Sequence, residues 1–169
     1  MNTNKNTEST MVSKVALEDN MKDAVADVSS RLRELDYNPM ILHGKADRTG
    51  QFLEQLKVYE ADTIANWNIM EITGDILAKE YTDSVTYGHV ADFMERFVKI
   101  DRLIVTNFDY VLEQADELEQ RAIVRIITAL RQNMRQIILT IEDDVLAYEA
   151  NAIQDMIDLL NNATEVGIK

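Results

Sequence analysis

The sequence predicts an all-α protein: a bundle of four to five long antiparallel helices, with or without an extended C-terminal helix. Three observations predict it. Residues 89–166 run for 78 positions without glycine or proline, and those two residues are the usual punctuation between elements. The whole chain of 169 residues has one proline and five glycines, too few turn formers for a many-stranded fold. Apolar residues recur at steps of three and four along much of the chain, the spacing of one helix face.

Composition bounds the rest. A 46% hydrophobic fraction suffices for the core of a single domain of this size. There is no cysteine, so disulfides, thiolate nucleophiles and cysteine-bound zinc are excluded. Residues 1–10, MNTNKNTEST, lack an apolar signal segment and read as a flexible tail ahead of one helical domain over 11–169. No stretch reaches the ~18 apolar residues of a membrane span, which predicts a soluble, cytoplasmic protein. The net charge is −13. Because nucleic-acid affinity rests on cations that neutralise phosphates, direct nucleic-acid binding is not expected.

A first helix is predicted from about Ser9 to Asp36, with Leu17, Met21, Val25, Val28, Leu32 and Leu35 forming a narrow seam close to a heptad, the pattern of a coiled coil. Tyr37–Gly50 breaks the pattern with Pro39, Gly44 and Gly50. Its Gly44-Lys45 pair fails as a phosphate-binding P-loop, with proline at position 39 where the first glycine belongs and Ala46 in place of Ser or Thr. The segment therefore reads as a helix–helix connector. A second helical region covers about Gln51 to Tyr81, with Gly74 on its apolar stripe. There either another helix approaches closely, or Thr73-Gly74-Asp75 ends one helix and caps the next. Asp83-Ser84 and Gly88 mark a turn.

The long stretch from His89 would exceed roughly 100 Å as one helix, so at least one interruption is expected. Thr106-x-x-Asp109 and Thr140-x-x-Asp143 resemble capping boxes, and the polar run Glu113–Arg121 could bend into a hairpin. Within the stretch, residues 120–141 hold four arginines and no acid. On a helix Arg121, Arg125, Arg131 and Arg135 share a ~120° arc opposite the isoleucines. They are the candidate partner-binding surface, for an acidic protein, a nucleic acid or a phosphorylated ligand, or else they pair with acids of neighbouring helices. Asp101 interrupts an apolar stripe. It is a candidate buried polar group that needs a donor from another helix, unless the helix turns it to solvent.

No catalytic constellation is visible. His43 and His89 are the only histidines, and Met40 and Thr86 stand three residues before them, so the Glu-x-x-His pairs of di-iron helical proteins are missing. No cofactor or metal is predicted. The leading expectation is a non-enzymatic structural or assembly protein, a homo-oligomer or one that docks to a protein partner through amphipathic helices. The alternatives are an acidic regulator that mimics nucleic acid to occupy a basic partner, and a helical enzyme or small-ligand sensor with Asp101, His89 and Trp67 near a pocket.

Overall fold

The structure is a computed structural model and describes residues 21–34 and 38–169. It is an α/β fold built on a five-stranded sheet, with β1 (Met40–His43), β2 (Ile69–Thr73), β3 (Arg102–Thr106), β4 (Gln136–Ile141) and β5 (Thr164–Gly167). The strands lie in the order β2-β3-β4-β1-β5 and every neighbouring pair is parallel. α1 (Met21–Leu32) precedes the first strand, and between the strands run α2 (Ala46–Tyr59), α3 (Gly74–Thr86), α4 (Val90–Glu95), α5 (Asp109–Glu113), α6 (Glu117–Gln132) and α7 (Gln154–Asn161), with a 3-10 turn at Val145–Tyr148.

The all-α expectation is thus overturned, and with it the reading of residues 89–166 as long helix, which β3 and β4 interrupt. The cause lies in how a parallel sheet is buried. Helices cover both faces, so strands read as continuous apolar runs instead of alternating patterns. In β4, Ile137, Leu139 and Ile141 face one core and Ile138 faces the other. Leu103 and Val105 oppose Ile104 in β3, and Ile41 opposes Met40 and Leu42 in β1, in the same way. One core lies against α3 to α7, and the second against α1 and α2. Short apolar runs of this kind cannot be told from buried helix by periodicity. QIILTI and RLIVT extend the three-and-four stepping of the helices beside them.

The breaks in residues 89–166 use other residues where glycine is expected. Asn107 and Met134 adopt left-handed backbone, with φ of 48° and 59°. Asn tolerates this conformation at modest cost, whereas Met is an uncommon choice. Asn107 closes the turn from β3 into α5, and Met134 the turn from α6 into β4. The two expected capping boxes are not helix caps: Thr106 and Thr140 end β3 and lie in β4. A capping box does exist at Asp116, whose side chain accepts from Glu119 N–H while the Glu119 carboxylate accepts from Asp116 N–H. It starts α6 inside the polar run 113–121, where a bend was expected.

Some helical readings stand. Val25, Val28 and Leu32 are buried on α1, with Met21 half-buried, while the tail at 1–10, Leu17 and Leu35 lie outside the described residues. The region 51–81, by contrast, divides into the end of α2, strand β2 and the start of α3. Thr73 is the N-cap of α3 and Gly74 its first residue. A Cβ on Gly74 would meet the Asn107 carbonyl oxygen at 2.5 Å. The close approach is made by backbone of the β3–α5 turn and not by a helix, and Thr73 ends strand β2, not a helix, without a side-chain cap bond to α3.

At the amino-terminal end of the sheet a buried ionic network joins four elements. Arg102 and Glu60 are 2% and 4% exposed, and two guanidinium nitrogens donate to the two Glu60 oxygens at 2.8 and 3.0 Å. Arg102 also donates to Gln136 Oε1 at 2.9 and 2.6 Å, and Ser29 Oγ donates to Glu60 at 3.0 Å. The guanidinium lies 5.4 Å from the Trp67 ring centroid, within cation–π range. Trp67 therefore belongs to this structural corner.

Candidate functional site at the sheet edge and the arginine face

In open α/β sheets ligands gather outside the carboxyl ends of strands, where the strand order reverses. Here β1 leads across β4 and β3 to β2, whereas β4 leads back across β1 to β5. The reversal falls between β1 and β4. A crevice of about 330 Å³ opens there, lined by Gly44 and the first turns of α2 (Ala46, Thr49 and Gly50), by Thr106, Asn107 and Asp109 where β3 leads into α5, and by Thr140, Ile141 and Glu142 at the end of β4.

The segment read as a helix–helix connector is therefore a strand–turn–helix. Gly44 N–H donates to Ile141 O at 3.0 Å, closing β1 onto β4. A Cβ on Gly44 would stand 2.3 Å from Ile168 O, so only glycine lets the chain after β5 pass. Lys45 is the N-cap residue of α2, and the helix starts at Ala46. Across the crevice Thr140 Oγ1 accepts from Asn107 N–H at 3.2 Å and Thr140 O accepts from Phe108 N–H at 2.9 Å. Asp109 Oδ2 accepts from Glu142 N–H at 2.9 Å and from the Tyr148 hydroxyl. Burial raises the Tyr148 phenol above its usual range, and the bond to Asp109 raises it further.

The predicted site residues do not gather in this crevice. Arg121, Arg125 and Arg131 lie on the solvent face of α6 and are exposed, with Ile123, Ile126, Ile127 and Leu130 buried opposite. Arg135 is past the helix, in the turn into β4. It donates to Asp101 Oδ1 at 2.8 Å, and Asp101 Oδ2 accepts from Asn68 N–H at 2.8 Å. Asp101 is thus a half-buried clip across the starts of β2, β3 and β4. Arg121 pairs with Glu117 on its own helix. Arg125 and Arg131 have no side-chain partner among the described residues. His89 precedes α4, 3.8 Å from Asp92 at the surface, and His43 ends β1, 3.7 Å from Glu165. No crevice seen among the described residues is lined by Asp101, His89 and Trp67 together; of the three, His89 alone lines one, beside Tyr87 and Phe93.

A profile of the family described as the bacterial DnaA ATPase domain matches residues 5–168. The chain belongs to that family. Solved structures with the same fold include AMPPCP-bound DnaA from Aquifex aeolicus, 19% identical with a TM-score of 0.74 over 88% of this chain and 46% of that one. Domain III of the Thermotoga maritima replication initiation protein DnaA is 16% identical with a TM-score of 0.74, over 91% and 64%. A replication initiator DnaA bound to AMPPCP and single-stranded DNA is 18% identical with a TM-score of 0.76, over 91% and 48%. The chain thus spans about half the length of most of these relatives. A search of curated proteins returns no match.

Family membership corrects four expectations: the structural or assembly bundle, the non-enzymatic class, the coiled-coil description and the exclusion of nucleic acid. The exclusion of nucleic acid was drawn from global charge, and net acidity describes the average surface and not one face. No helix among the described residues is long and apolar enough to cross a membrane.

The crevice residues do not fit a magnesium-bound triphosphate. A P-loop runs Gly, four residues, Gly, Lys, then Ser or Thr, the lysine reaching the β/γ-phosphates and the hydroxyl holding magnesium. Counted from Gly44, the last three positions are Thr49, Gly50 and Gln51. The end of β3 offers Thr106 and Asn107, and no group of three or more His, Cys, Asp or Glu among the described residues could hold a metal ion. Asp109 and Glu142 line the space with negative charge. Only the strand–turn–helix context could have revealed this site from the sequence, and β1 was not recognised as a strand.

Proposed function

We propose that this chain acts in the cytoplasm in the initiation of DNA replication, as a DnaA-type domain that engages single-stranded DNA. The observation that carries the reading is the family match over residues 5–168. Resemblance to an initiator solved with single-stranded DNA supports the choice of ligand.

On this chain the arginine face of α6 is the contact surface. Single strands are held by cations that follow the backbone, and Arg125 and Arg131 stand exposed about 9 Å apart along the helix axis. Arg121 extends the row at the cost of its bond to Glu117. A net charge of −13 opposes the approach of DNA, so binding is local, modest and weakened by salt.

Fluorescence anisotropy of a labelled single-stranded oligonucleotide, titrated from low to physiological salt, tests this. Affinity should fall with salt at about 0.7 log units per log unit for each phosphate neutralised. Arg125→Glu with Arg131→Glu should abolish most of the binding at low salt while leaving the circular dichroism spectrum intact. Binding untouched by the double reversal would move the DNA to another face. No binding at the lowest salt would remove DNA from the proposal.

A further inference from the structure

The fold places a crevice at the carboxyl ends of the strands, where ligands gather in open α/β sheets, yet the Asp109 carboxylate that lines it is taken up by bonds to the segment after β4. Asp109, the first residue of α5, reaches over to the segment after β4. Its Oδ2 accepts from Glu142 N–H at 2.9 Å and from the Tyr148 hydroxyl, and the Tyr148 oxygen accepts from Asp143 N–H at 3.2 Å. Tyr148 is 3% exposed, so its ring anchors the 3-10 turn in the core. A second tie comes from β5, where Glu165 Oε1 accepts from Val145 N–H at 3.2 Å. Residues 142–148 are therefore held from α5 and from β5.

In nucleotide switches the γ-phosphate and its magnesium order the flanking loops, which are released when those contacts are lost. This chain lacks the lysine, the hydroxyl and the metal-binding acids for such contacts, as shown above. The segment that follows β4 is bound instead to the protein's own side chains. We infer that Asp109 with Tyr148 forms an internal clamp at the crevice, in the place of a magnesium–nucleotide switch, which keeps residues 142–148 in one arrangement. The order of this segment then does not change with magnesium nucleotide. This inference rests on the geometry of the crevice and stands apart from the DNA reading.

The test is hydrogen exchange of the full chain, followed over residues 142–148, with and without AMPPCP and magnesium. The expected result is the same exchange under both conditions, and no change in melting temperature. Tyr148→Phe and Asp109→Asn should each raise exchange in that segment about tenfold, as loss of one strong local bond does, with little change in β1 or β3. Tyr148→Phe keeps the buried ring, so it reports even where Asp109→Asn does not fold. Saturable protection of 142–148 by magnesium AMPPCP that EDTA reverses would overturn the clamp, as would unchanged exchange in Tyr148→Phe. Oligonucleotide anisotropy on the same samples separates a failure here from a failure of the DNA reading.

Discussion

Replacing Arg102 by methionine is the most informative single perturbation of this fold. The guanidinium makes four hydrogen bonds, two to Glu60 and two to Gln136, and 2% of the residue is exposed. Methionine fills much of the same volume but leaves Glu60 buried, with the Ser29 hydroxyl as its remaining side-chain donor among these bonds. Removing one member of a buried pair costs about 3–5 kcal/mol, because the other charge stays desolvated. A domain of ordinary stability has about 5–15 kcal/mol in total. With a urea slope near 2 kcal/mol per molar, the midpoint should fall by about 2 M. Removing both partners, Arg102→Met with Glu60→Leu, should recover more than half of that loss, since replacing a whole buried pair by apolar groups is often near neutral. Urea denaturation followed by circular dichroism measures both, and the double-mutant cycle isolates the coupling. A single-substitution cost under about 1 kcal/mol, or a double variant as unstable as the two single losses added, would refute the reasoning.

The remaining predictions concern the turns around the crevice. Gly74→Ala should cost about 2 kcal/mol or more, because the new methyl meets the Asn107 carbonyl at 2.5 Å and backbone must shift; a thermal melt unchanged within 1 °C would contradict it. Asp116→Ala should cost about 1 kcal/mol through loss of the α6 cap, read from the urea midpoint. Tyr148 gives a pH signature. Its folded pKa lies above the usual value of 10, so its contribution is full below about pH 10. That contribution declines as the pH rises further, because the unfolded chain releases the proton first. Melting temperature between pH 9 and 11.5 should therefore fall less steeply in Tyr148→Phe than in the parent. Phenolate absorbance should show one of the six tyrosines titrating after the rest.

By itself the sequence determined the faces of helices. The seam of α1 and the isoleucines of α6 were legible because a helix at the surface of a core buries one stripe, and that stripe recurs at 3.6 residues wherever the helix lies. The solvent exposure of Arg121, Arg125 and Arg131 followed from the same local period. What only the tertiary structure decided is the sheet. β1, β3 and β4 are apolar on both faces because helices cover both, so their residues carry no period of two, and pairing such as Ile41 with Leu139 joins residues far apart in the chain. The turns that separate strand from helix were hidden too, since Asn107 and Met134 took left-handed backbone without glycine. Arg135 and Asp101, legible only as charges on apparent stripes, became partners when β3 and β4 came side by side. The crevice exists only because parallel strands bring Gly44, Asn107 and Thr140 to one edge, and no local spacing records that meeting.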